Sequence, residues 1–266
     1  MEVRMLVKRV ASAAILIPIV AAVVYLGSYP FLGVILLVAC LACIEYAALV
    51  RLRGLTPSRG VLILLVVLCV LEAQWPTEAR LRALVAGVPA LLLTIEVFYK
   101  NRTQALMTWG VGVAGTLYIG GLLGHFIRLR ALEHGMEWMI LALVSTWVCD
   151  TGAYFVGVRW GRRRFFPAIS PKKTWEGALG GLVSGVATVV VLGVWLLQLP
   201  VWQGLLLGLC VVLGATFGDL AESVIKRQAG VKDSGHLIPG HGGMLDRIDS
   251  LLFVVPIVYY FAILVG

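Results

Sequence analysis

The sequence predicts an all-α fold: a polytopic integral membrane helical bundle of about nine transmembrane helices with its N-terminus in the cytoplasm. Three observations carry that expectation. Of 266 residues, 60% are hydrophobic and 14% charged, with a mean hydropathy of +0.96. A water-soluble domain of this length cannot hide so much apolar surface. The apolar residues gather in runs of about 20, the length that crosses a ~30 Å hydrocarbon core at ~1.5 Å per residue. Finally, Lys and Arg are distributed unevenly among the connections between those runs.

Nine runs are legible, at 10–27, 30–50, 60–75, 81–99, 104–127, 137–158, 175–197, 203–225 and 246–265, the third being the shortest. With a cytoplasmic N-terminus, 18 of the 22 Lys and Arg residues fall on the cytoplasmic side; only Arg80, Arg82, Arg128 and Arg130 fall outside. That bias fixes both the orientation and the odd number of spans. It also explains the net charge of +8 without nucleic acid as a partner. The first run leads straight into the second with no small-residue cleavage pattern, so no removable leader is expected.

Residues 1–135 are expected to be a transmembrane scaffold. Glu45 and Glu96 lie within apolar runs, close in sequence to Arg51 and Lys100, and ordinary interfacial ion pairs with those cations are the expectation. Glycines 110, 112, 115, 120, 121 and 124 in the fifth run, and Gly177, Gly180, Gly181, Ser184 and Gly185 in the seventh, are spaced for close helix–helix approach. Cys40-x-x-Cys43 has no second pair and no neighbouring His, so all five cysteines are read as small core residues.

Residues 136–266 are expected to carry the chemistry. Asp150 lies deep in the sixth run, where a carboxylate needs a hydrated cavity or a cation. The next connection holds six cations between Arg159 and Lys173 and ends Ser170-Pro171-Lys172-Lys173-Thr174 at a helix entrance. Arg159–Arg164 suit anionic membrane lipids. The hydroxyls, lysines and free N–H groups of Ser170–Thr174 suit a phosphate. Further on, Asp219, Glu222, Ser223 and Lys226 fall at i, i+3, i+4 and i+7, one face of a helix. Asp246 and Asp249, three apart, open the last run, where carboxylates meet the positive end of a helix dipole and can share a cation. Glycines 230, 235, 240, 242 and 243 lie between, in a loop whose amides can converge on an anion.

Ser223, Lys226, Arg227, Lys232, Asp233, Gly235, Pro239, His241, Gly242, Gly243, Asp246, Arg247 and Asp249 together resemble the signature of the phosphatidate cytidylyltransferases, the CDP-diacylglycerol synthases. Asp150–Tyr154, Ser170–Thr174 and Gly218–Asp219 also look like motifs of that family. The resemblance spans Asp150–Asp249; residues 1–140 match only as membrane spans. It implies an Mg²⁺-dependent nucleotidyltransferase of the bacterial cytoplasmic membrane, active site facing the cytoplasm, converting CTP and phosphatidate to CDP-diacylglycerol and pyrophosphate. A homodimer is expected from the small-residue helix faces and from the same resemblance. On this reading Asp219, Lys226, Asp246 and Arg247 are catalytic. Asp219 and Asp246 hold Mg²⁺, with Asp249 and Asp150 as lesser ligands or organisers of a second cation. Lys226, Arg227, Lys232 and the Gly240–Gly243 loop meet the CTP phosphates, with Ser223 beside them. Ser170, Lys172, Lys173 and Thr174 receive a phosphate of CTP or of the lipid. His241 either helps hold pyrophosphate or shapes its turn. The rivals are a secondary transporter using Asp150 and Asp219 as cation sites, and a CTP-using lipid kinase.

Overall fold

The computed structural model describes residues 16–98, 103–235 and 242–265. Each of the nine apolar runs falls on a helix there: α1 Leu16–Leu26, α2 Ser28–Arg51, α3 Arg59–Gln74, α4 Glu78–Phe98, α5 Ala105–Arg130, α6 Gly135–Trp160, α7 Trp175–Leu197, α8 Val201–Gln228 and α9 Leu245–Val265. Seven of them, all but α1 and α3, are long and apolar enough to cross a membrane. The chain is thus an integral membrane protein by the length and composition of its helices. Residues 159–174, expected as a loop, contain instead a short antiparallel hairpin, β1 Arg164–Phe166 with β2 Ser170–Thr174.

The chain clusters into two compact units. The first joins residues up to Arg128 with Gln228–Arg247; the second joins Leu129–Arg227 with Ile248 onward. The sequence suggested a boundary at 135/136 with the whole polar segment in the second half. Here the loop before α9 clusters with the first unit.

In the first unit, Leu65, Val88 and Leu92 form a small core flanked by Val61, Leu84, Trp109 and Val113. Burial of apolar surface does not drive assembly in lipid, so close packing and hydrogen bonds must. Trp109 Nε1 donates to the Pro89 carbonyl at 2.9 Å, and the Tyr46 hydroxyl donates to Val111 O at 2.9 Å. Within α5, residues Thr116–Gly121 form a π-helical stretch. A Cβ on Gly120 would lie 2.9 Å from the Val66 backbone, so glycine is what lets α5 rest on α3. At the end of the same helix, Arg128 pairs with the buried Glu72 at 2.5 Å.

In the second unit, α6 and α7 pack along most of their length. The predicted small residues make this possible: a Cβ on Gly180 would strike Val156 and lie 3.0 Å from Gly152 O, while Gly181 rests on Cys149. Helix α7 begins at Thr174, whose hydroxyl accepts the Gly177 N–H at 3.1 Å as an N-cap. It ends at Gln198, left-handed at φ 53°, with Leu199 N–H bonded to Gly193 O and Pro200 following.

The glycine spacing therefore yields two classes of position. Replacing Gly180 by Leu overpacks the α6–α7 seam and should cost about 1–3 kcal/mol, seen as a lower unfolding midpoint in detergent. A Cβ at Gly110 meets nothing within 4 Å; Gly110→Ala should hold or raise that midpoint, by up to about 1 kcal/mol.

Candidate functional site

The polar end of the second unit is built where α8 meets α9. Gly218 makes the approach possible, since a Cβ there would lie 2.6 Å from Asp249 O and 2.9 Å from Ser250 Cα. The Ser250 hydroxyl completes the seam by donating to Ala215 O at 3.1 Å. Contact at backbone distance brings the Asp249 carboxylate into the electrostatic field of Asp219 and of Lys226. Asp249 Oδ1 accepts its neighbour's amide, Ser250 N, at 2.7 Å.

The face predicted for α8 is present and internally paired. Asp219 Oδ2 lies 2.7 Å from Lys173 Nζ, and the Ser223 hydroxyl donates to Asp219 Oδ1 at 3.3 Å. One turn on, Lys226 is buried and ion-paired to Glu222, which is wholly inaccessible. Lys226, expected as a catalytic residue meeting the CTP phosphates, is held here by a carboxylate of its own helix. Asp150 is exposed on α6.

The basic connection is shaped by its own contacts. Glu176 in the first turn of α7 accepts the amides of Arg162 and Arg163 at 3.0 and 3.2 Å, and Trp175 N–H donates to Arg163 O at 2.9 Å. These bonds fold the hairpin back over the helix entrance. Lys172 is exposed on β2, Ser170 and Lys173 are half-buried, and Thr174 is buried with its hydroxyl engaged as the cap. Arg227 Nε donates to Ile169 O at 3.1 Å, tying the hairpin turn to the end of α8.

In the first unit, a second polar cluster forms around the start of α9. Asp246 Oδ2 accepts Ser234 N and Ser234 Oγ, both at 2.9 Å, and Gly243 N at 2.8 Å. Gly242 is left-handed at φ 79°, and a Cβ on it would lie 2.7 Å from Asp246 Oδ2, so both conformation and space require glycine. Lys232, Asp233 and Arg247 are exposed, and Arg247 N–H donates to Met244 O at 3.0 Å. His241 and Gly240 lie outside the described residues. Glu45 corrects an expectation. It makes no ion pair with Arg51; its carboxylate accepts Met244 N, Leu245 N and Ser234 Oγ. Lys100, the partner expected for Glu96, is outside the described residues.

The expected sharing of an ion by Asp219 and Asp246 pairs residues of different units. Within the second unit, Asp249 is the carboxylate that stands by Asp219. Among the described residues no group of three His, Cys, Asp or Glu side chains is gathered to hold a metal. Two part-buried aspartate carboxylates nonetheless fit Mg²⁺, a hard cation that takes one or two carboxylates and completes its shell with water and substrate phosphates. Sequence reading gave no role to Glu222, Glu176 or Ser234, and only an ion pair with Arg51 to Glu45. The first had a signal, Lys226 at i+4; the last is joined to its partners only by the fold.

The Cytidylyltransferase family pattern matches residues 7–265 of the chain. A phosphatidate cytidylyltransferase of Synechocystis is 36% identical, the alignment covering 97% of this chain and 96% of the relative. One from Bacillus subtilis is 36% identical over 92% of this chain and 95% of its own length. One from Mycobacterium tuberculosis is 39% identical over 53% of this chain and 44% of its own.

The buried Glu222–Lys226 pair sets a test of this site's construction. Glu222→Gln leaves a buried ammonium without its counter-charge and should cost about 3–5 kcal/mol, read from thermal unfolding in detergent. The double change Glu222→Leu with Lys226→Met should regain most of that stability while losing activity.

Proposed function

The chain belongs to the cytidylyltransferase family, and from that membership we propose that it transfers the cytidylyl group of CTP to phosphatidate, forming CDP-diacylglycerol and pyrophosphate. The observation that carries this reading is the Lys173–Asp219 ion pair, set next to the close approach of Gly218 to Asp249 where α8 and α9 touch. Opposed charges at the end of apolar helices suit a reaction between a membrane-held anion and a water-borne one.

A phosphate oxygen of phosphatidate attacks the α-phosphorus of CTP. A new P–O–P link forms, the bond to the β-phosphate breaks, and pyrophosphate leaves with the electron pair. The attacking monoester is largely ionised at neutral pH, its second pKa being about 6, so no strong general base is needed. The obstacle is repulsion between two polyanions, and the chain's work is to screen it and align the reactants. Lys173, paired with Asp219 in the chain by itself, is placed to pass its charge to a phosphate. Lys172 and Ser170, on the same strand, extend that anion site. Lys226 lends positive charge from behind, restrained by Glu222. Arg227, Lys232, Arg247 and the amide of Gly242 are the further groups proposed for CTP phosphates, with His241 assigned to the pyrophosphate side.

Magnesium is proposed as the cofactor, Asp219 and Asp249 being the residues that would hold it, with Asp246 and Asp150 the remaining acidic candidates. When bound, Mg²⁺ supplies charge neutralisation on the phosphates and polarises the reacting centre. The cation bias of the sequence supports nine spans, a cytoplasmic N-terminus and a site opening on the cytoplasmic face of the bacterial inner membrane. Assembly as a homodimer is proposed as well, to be read by cross-linking in native membranes.

Purified protein given α- and γ-labelled CTP with phosphatidate should yield labelled CDP-lipid and free pyrophosphate only when Mg²⁺ is present. Phospho-lipid with CDP would replace this reading with a lipid kinase, and no turnover would refute it. Asp219→Asn should lower kcat/KM at least about a hundredfold while the protein still inserts and folds. Lys172→Gln and Lys173→Gln should raise KM for one substrate selectively; equal small effects on both would reduce these lysines to surface anchors.

A further inference from the structure

Glu45 sits in α2 as a buried carboxylate, 8% exposed. Its partners come from the far end of the chain: Oε1 accepts Met244 N at 2.8 Å, and Oε2 accepts Leu245 N at 2.8 Å and Ser234 Oγ at 2.9 Å. Leu245 is the first residue of α9. A helix start leaves amides without intrahelical partners and carries positive dipole charge, so a carboxylate supplied by another helix satisfies both. The loop is shaped to admit it. A Cβ on Gly243 would lie 2.6 Å from the Glu45 carboxyl carbon, and one on Gly235 would lie 2.8 Å from Oε1. Ser234 Oγ stands 2.9 Å from both Glu45 Oε2 and Asp246 Oδ2. The same few contacts thus set the backbone immediately before Asp246 and the partner that orients its side chain.

We infer that Glu45 is a positioning residue for the reaction, fixing the start of α9 and the Ser234–Gly243–Asp246 turn. This rests on the functional reading above, in which Asp246 belongs to the reacting region. Both carboxylate oxygens accept, so an amide at this place must set a donor against a donor. Glu45→Gln keeps the size and loses the function.

The test uses full-length protein in detergent. Hydrogen exchange at Met244 and Leu245 should quicken about tenfold or more in Glu45→Gln, the α2 amides staying protected. In the same preparation kcat should fall about 10- to 100-fold, with KM for phosphatidate within about twofold of wild type. Ser234→Ala, which keeps the carboxylate, should show the same pattern more weakly and carries the test if Glu45→Gln does not fold. Unchanged exchange, or faster exchange with wild-type kcat, overturns the inference. So does a loss of rate accounted for by a smaller folded fraction. A wild-type protein without cytidylyl transfer overturns the functional reading and this assignment with it, an outcome visible before any variant is made.

Discussion

A carboxylate carried on a membrane helix must find a cation or several donors, because hydrocarbon offers it no water. This constraint recurs along the chain, and each solution joins elements that lipid alone would leave loose. Glu72 takes Arg128, linking α3 to the end of α5. Glu222 takes Lys226 within α8. Asp219 takes Lys173 from the hairpin strand. Glu45 takes two amides and a hydroxyl at the start of α9. The polar groups that chemistry requires therefore also supply directional bonds in a setting where apolar contact gives little preference between helices.

The glycines act with these bonds. At Gly218 and Gly120 the missing side chain allows backbone-to-backbone approach, and each lies near a polar link: Gly218 beside Asp219, and Gly120 two turns before Arg128. Close approach excludes lipid and fixes distances, and the ion pairs then fix the rotation of the helices. Neither feature would position a carboxylate by itself.

Period and composition made the helices legible: among the described residues the apolar runs fall on helices, and Asp219, Glu222, Ser223 and Lys226 share the face their spacing gives them. The hairpin was not legible, because β1 spans three residues and β2 five, too few to display an alternation among so many arginines and lysines. Thr174 was read as a phosphate ligand from its hydroxyl alone; that oxygen also accepts the i+3 amide as an N-cap, a second use the spacing does not announce. Glu45 was assigned to Arg51 because sequence proximity was the available guide. Its actual partners lie 189 to 200 residues away, a separation no local pattern encodes.

That separation bears on how the protein is made. Translation at ~5–20 residues per second leaves on the order of 10–40 s between the emergence of Glu45 and that of Leu245, 200 residues later. Until then the glutamate sits in a nascent helix without its final donors. A chain released before Met244 lacks the amide donors of this clasp altogether. The polar turn therefore forms only once α9 has begun to be made, whatever the state of the helices before it.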